Sequence, residues 1–121
     1  MSNSKATNLP PYKIIPLTAI TNQNVTSSVT NIFNKDNVGI QLIWTGTIAG
    51  TFAVQVSADY DPHFGTGTWT AITLSPALAA VGSAGDAYAD ITQISAPYIR
   101  VVFTYTSGAG NLTGWITAKV V

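Results

Sequence analysis

Tyr98-Ile99-Arg100-Val101-Val102-Phe103-Thr104-Tyr105-Thr106 and Leu112-Thr113-Gly114-Trp115-Ile116-Thr117-Ala118-Lys119-Val120 are the two stretches that decide the fold class. The first is β-branched and aromatic almost throughout, the composition that suits a pleated, half-buried surface. The second alternates Leu112, Gly114, Ile116 and Ala118 with Thr113, Trp115, Thr117 and Lys119, a period of two. A period of two is the signature of a strand with one buried face. Between them lies Ser107-Gly108-Ala109-Gly110-Asn111, a short loop with two glycines. A loop of that length and composition predicts that the two strands pair as an antiparallel hairpin.

Working outward, the same periodicity recurs upstream. Val38, Ile40, Leu42 and Trp44 share one face of a predicted strand, with Ile43 interrupting its polar side. Phe52, Val54 and Val56 alternate with Ala53, Gln55 and Ser57. Thr45 to Thr51 is expected to join these two strands as Ser107 to Asn111 joins the later pair. Val25 to Phe33, Trp69 to Leu74 and Tyr88 to Ile91 are further strand candidates. Ala58 to Gly67 is dense in turn residues and reads as a loop. Ser75 to Asp86 reads as a long connection, with room for one helical turn at Ala77 to Val81 between Pro76 and Gly82.

Roughly seven or eight short strands with no amphipathic helix define an all-β protein. An antiparallel two-sheet sandwich of jelly-roll type is expected, with a barrel as the alternative. The length of 121 residues fits one domain over residues 12–121. Residues 1–11 are polar, end in Pro10-Pro11, and read as a mobile or partner-bound arm.

Composition limits the function. Charged residues make up 8% of the chain, against about 25% in an average protein. All five acids are aspartates, the formal net charge is zero, and there is no cysteine. A neutral, hydroxyl-rich surface sets up little repulsion between copies, which favours self-association. Lys5, Lys13, Lys35, Arg100 and Lys119 are scattered, so no phosphate-binding patch and no nucleic-acid partner are expected. No apolar run approaches 18 residues and Met1 to Ala6 has no apolar core, so neither a membrane span nor a signal peptide is expected.

Chemistry-bearing residues are few. His63 is the only histidine, and Ser57, Asp59 and His63 are the one triad that can be drawn on paper. A histidine in a Pro/Gly loop is ordinarily a solvent-facing turn residue, so no catalytic residue and no cofactor are assigned. Asp59 and Asp61 are weak candidates for a Ca²⁺ site, and aspartate in a turn commonly bonds its own backbone instead. No metal is assigned. Tyr60 and Phe64, in the same loop, are the aromatics expected to be exposed as a ligand or interface pair. Trp44, Trp69 and Trp115 lie within strand patterns and are placed in the core or an interface. Arg100, alone in an apolar strand, is expected to pair with Asp90 or Asp59, with an outward position facing a partner as the alternative.

The runs Phe52 to Asp59, Trp69 to Leu74 and Ala96 to Leu112 together resemble small β-sandwich proteins encoded among bacteriophage structural genes: head-decoration, head-fibre and tail-associated subunits. The scaffold is more distantly similar to discoidin-like jelly rolls. The phage resemblance implies a virion location and a non-enzymatic subunit that forms a symmetric homo-oligomer, such as a trimer, and contacts other virion proteins. It carries over no binding residue. The competing reading is a carbohydrate-binding sandwich module used in host adhesion, with a surface glycan as partner.

Overall fold

A computed structural model describes residues 9–33, 35–74 and 77–119. The strands are β1 (Leu9–Ile20), β2 (Val25–Thr26), β3 (Thr30–Asn31), β4 (Asn37–Trp44), β5 (Ala49–Ser57), β6 (Thr70–Ile72), β7 (Leu78–Val81), β8 (Gly85–Thr92), β9 (Tyr98–Ser107) and β10 (Gly110–Lys119). All pairings are antiparallel. Sheet A runs β1-β10-β4-β8 and sheet B runs β2-β9-β5-β6, with β3 also on β9 and β7 also on β5.

Ten named strands reduce to eight because two are interrupted. β2 and β3 both lie along β9, separated by Ser27, Ser28 and Val29, which belong to neither strand. Ser27 bridges that gap: its N–H donates to Val101 O at 2.8 Å, and its hydroxyl accepts the Val101 N–H at 2.8 Å. β6 and β7 similarly share β5. Counted as eight, the two sheets follow the double Greek key of a jelly roll.

In β4 the buried face is the one the alternation led us to expect, whereas β9 is apolar on both faces in sequence and its buried face is set by packing. Ile99, Val101 and Phe103 of β9 point inward, as do Val38, Ile40, Leu42 and Trp44 of β4 and Leu112, Ile116 and Ala118 of β10. Phe52 sits at the centre, its ring 5.4 Å from Trp44 and 5.0 Å from Phe103. Trp44 keeps its indole N–H satisfied by donating to Ser83 O at 2.9 Å. The other two tryptophans are half-buried on outer faces: Trp115 lies under the Lys13 ammonium and Trp69 under Arg100.

The expected hairpin does not form. β9 belongs to sheet B and β10 to sheet A, so the loop at Gly108 and Ala109 crosses between sheets. The link from β4 to β5 does the same. The two crossings stack on each other: Thr45 N–H donates to Asn111 O at 3.0 Å, Thr47 N–H to Ala109 O at 2.8 Å, and Ala109 N–H to the Thr47 hydroxyl at 3.2 Å. Gly108 makes this approach possible, since it adopts φ +85° and any Cβ there would overlap the Thr47 carbonyl.

Two further expectations change. Ala77 to Val81 is no helical turn: β7 forms there because Ala49 to Phe52 of β5 needs a ladder partner on that side. β1 is a twelve-residue strand despite Pro10, Pro11 and Pro16, with three register shifts against β10. It lies at a sheet edge, the position where a missing N–H is tolerated. Leu9 to Pro11 of the expected arm therefore belong to β1, and residues 1–8 lie outside the described residues.

Candidate functional site

The loop between β5 and β6 carries most of the residues singled out from sequence. Asp61 organises its tip. The Asp61 N–H donates to Thr66 O and the Gly65 N–H to Asp61 O, both at 2.7 Å, while the Asp61 carboxylate accepts the His63 N–H at 2.9 Å. Asp59 anchors its base. Oδ1 of Asp59 accepts the Thr68 N–H at 2.7 Å and the Ser57 hydroxyl at 2.9 Å. Those bonds, the Thr68 amide first and the Ser57 hydroxyl next, hold the Asp59 carboxyl below its ordinary value.

Both aspartates are thus engaged within their own loop. Among the described residues no three His, Asp or Glu side chains group closely enough to hold a metal ion. The paper triad does not assemble: the Ser57 hydroxyl donates to Asp59, and the His63 ring packs edge-on against Phe64 at 4.6 Å.

The expected pair of exposed aromatics is split. Phe64 projects from the tip, 73% exposed. Tyr60 instead folds back onto the outer face of sheet B, 5.4 Å from Trp69 and 5.2 Å from Tyr98. Arg100 joins this cluster, its guanidinium 4.3 Å from the Trp69 ring centre and its Nε–H donating to Gln55 Oε1 at 2.8 Å. The expected Arg100 ion pair is absent among the described residues, because Asp59 is committed to Ser57 and Thr68 and Asp90 lies on the outer face of sheet A. Gln55 and Tyr98 were not picked out from sequence as members of a site. Period-two reading does place Tyr98 and Arg100 on one face, but no local pattern says that this face is the outer one or that Gln55 of β5 sits opposite Arg100 of β9.

This arrangement can stack and hydrogen-bond, and it fastens the loop to sheet B. A second aromatic, Phe33, projects from the same end of the sandwich, 66% exposed, in the link from β3 to β4.

The chain is a jelly-roll β-sandwich, and its likenesses are likenesses of that fold. It matches no family model and no curated protein. Its structure is similar to the infectious bursal disease virus VP2 subviral particle, with a TM-score of 0.56 and 12% identity over 93% of this chain. This chain spans about a third of that protein, 32% of its length. It is also similar to the SPBc2 prophage-derived protein YomS, with a TM-score of 0.52, 7% identity, and coverage of 89% of this chain and 91% of that one. The xylan-binding CBM22-1 domain of Paenibacillus barcinonensis Xyn10C aligns at a TM-score of 0.46 and 8% identity, over 92% of this chain and 86% of that domain.

Proposed function

We propose that this chain is a non-enzymatic structural subunit of a bacteriophage particle, assembling as a homo-oligomer in the virion as a decoration, fibre or tail component. The observation that carries the reading is the end of the sandwich where Phe33 and Phe64 stand exposed on a surface with few charges. Large apolar side chains in such a setting suit contacts between subunits. The jelly roll shared with a viral capsid protein and a prophage protein supports the reading at the level of scaffold, which by itself hosts many functions.

The test is the solution mass at low and high salt. A discrete oligomer that survives high salt is expected, because apolar contacts are not screened. Phe33→Ser with Phe64→Ser is expected to dissociate it. A parent protein that runs as a monomer of 12.7 kDa at both salts would sink the assembly reading and favour the carbohydrate-binding alternative.

A further inference from the structure

The outer face of sheet A holds a second constellation, remote in sequence from the loop described above. Strand register places its outward residues in cross-strand rows. Lys119, Asn37 and Thr92 form one row, Thr117, Gly39 and Asp90 the next, and Trp115, Gln41 and Tyr88 a third. Neighbouring strands lie about 4.8 Å apart, so the outer rows each bring three side chains together and the middle row brings Thr117 and Asp90 to either side of Gly39. The residues between them, among them Val38, Ile40, Ala89, Ile116 and Ala118, point into the core.

Gly39 sits at the centre of this grid on an inner strand, and its missing side chain leaves a dent. Tyr88, 53% exposed, leans across part of it: a Cβ on Gly39 would overlap the Tyr88 hydroxyl. An aromatic covering a strand glycine is a packing device in its own right. Packing does not account for what rims the rest. A hollow of about 210 Å³ remains, lined by Asn37, Gly39, Tyr88, Asp90, Thr117 and Lys119. Across the Tyr88 ring lies a smaller one of about 140 Å³, walled by Trp115 and Gln41.

The chemistry of the larger hollow is specific. Asp90 brings a carboxylate, Asn37 an amide that both donates and accepts, and Lys119 an ammonium. Among the described residues none of these three side chains has a hydrogen-bond partner. The Thr117 hydroxyl spends its proton on Leu9 O at 2.8 Å and keeps its lone pairs. One carboxylate and one ammonium at the rim balance, so neither a strong anion nor a divalent cation is matched. A purely apolar ligand would strand the polar groups. A neutral polyol uses all of them: adjacent hydroxyls donate to Asp90 and accept from Asn37 and Lys119, and a C–H face lies against Tyr88. The volume suits one ring rather than a drug-sized ligand, whose sites run to about 300–1,000 Å³.

We propose that the hollow over Gly39, rimmed by Asn37, Asp90 and Lys119 and walled by Tyr88, is a binding site for a neutral pyranose sugar. The hollow lies on the outer face of sheet A, its Asn37 rim only four residues along the chain from Phe33.

The test is an amide NMR titration of the full chain with methyl α-glucopyranoside, methyl α-mannopyranoside and methyl β-galactopyranoside, with Trp115 fluorescence as a second readout. At least one sugar is expected to shift residues 37–41, 88–90 and 115–119 with a Kd of about 1 mM, in the usual range for a single shallow contact site. Asp90→Asn keeps the shape and removes the charge, and should weaken binding about tenfold, as should Asn37→Ala. Asp90 is exposed, so its variant retains the fold, and unchanged core amide shifts for Val54 and Ile99 verify this. Gly39→Ala should abolish binding by filling the dent, and Tyr88→Ala should abolish it by removing the wall while leaving the backbone intact. No shift with any of the three sugars, shifts confined to the Tyr60 and Trp69 cluster, or variants that bind as tightly as the parent would each overturn the proposal. Solution mass measured on the same samples keeps the two readings apart: an oligomer that binds no sugar loses only this site, and a sugar-binding monomer loses only the assembly.

Discussion

Replacing Ser27 by alanine removes one hydroxyl from the interruption between β2 and β3. In the parent, that oxygen accepts the N–H of Val101, and its proton goes to Ser28 O at 2.9 Å. Val101 is fully buried, so no water can take over its amide once the oxygen is gone. An orphaned buried donor costs about 1–3 kcal/mol. The expected loss is therefore about 2 kcal/mol, which in a domain of this size lowers Tm by roughly 8 °C. Ser28→Ala is the matched control. The Ser28 hydroxyl donates to Ile14 O at 3.3 Å, a carbonyl already served by the Ser28 N–H at 3.0 Å, so its removal leaves nothing orphaned and should cost less than about 0.5 kcal/mol. Denaturant unfolding of both variants, with an unchanged m-value, reads the difference. Hydrogen exchange adds a local readout, since the Val101 amide alone should lose protection beyond the global change. Equal stabilities for the two variants would refute the claim that Ser27 completes the β9 ladder.

Two glycine variants separate backbone strain from collision. Gly65 and Gly108 both adopt positive φ, +72° and +85°, but a Cβ on Gly65 meets open space and one on Gly108 meets the Thr47 carbonyl. Gly65→Ala should cost about 1 kcal/mol, and Gly108→Ala distinctly more, with loss of the stacked crossings; equal costs by thermal unfolding would remove the collision from the account. Acidification should release the loop between β5 and β6. Folding holds the Asp59 carboxyl below its ordinary value, so its stabilisation is complete above the unfolded value of about 3.9 and disappears as pH falls through the lower folded one. The Thr68 amide shift should titrate with that same low midpoint and cease to do so in Asp59→Asn; a midpoint at or above the unfolded value would contradict the hydrogen-bonding pattern.

The sites show how far side-chain chemistry can be read along a chain. Asp59 and Asp61 were legible as turn residues; Asp61 makes the local bond such a residue favours, to the His63 N–H two residues on, whereas Asp59 reaches the Thr68 N–H across the base of the loop. Tyr60 and Phe64 look alike in sequence, two aromatics in one loop, yet one stands in solvent and the other lies on Trp69 and Tyr98. What separates them is the curl of the loop over sheet B, set by contacts to residues some forty positions away. Gly39 carried no signal at all. A lone glycine in a strand becomes a hollow only when its cross-strand neighbours are known to be Thr117 and Asp90.

Period-two alternation by itself determined that the chain is all-β and which residues of a strand share a face, because a strand presents successive side chains to opposite faces whatever its neighbours are; in β9, apolar on both sides, it left the buried face open. Ile99, Val101 and Phe103 were bound to face the same way, and they do. Alternation is silent about which strand takes the backbone ladder, since every backbone offers the same donors and acceptors. Tertiary structure therefore decided that β9 and β10, adjacent in sequence and joined by a short glycine loop, lie in different sheets. Their separation lets Phe103 and Leu112 close one core from opposite sides, where a flat hairpin would have left that face to water.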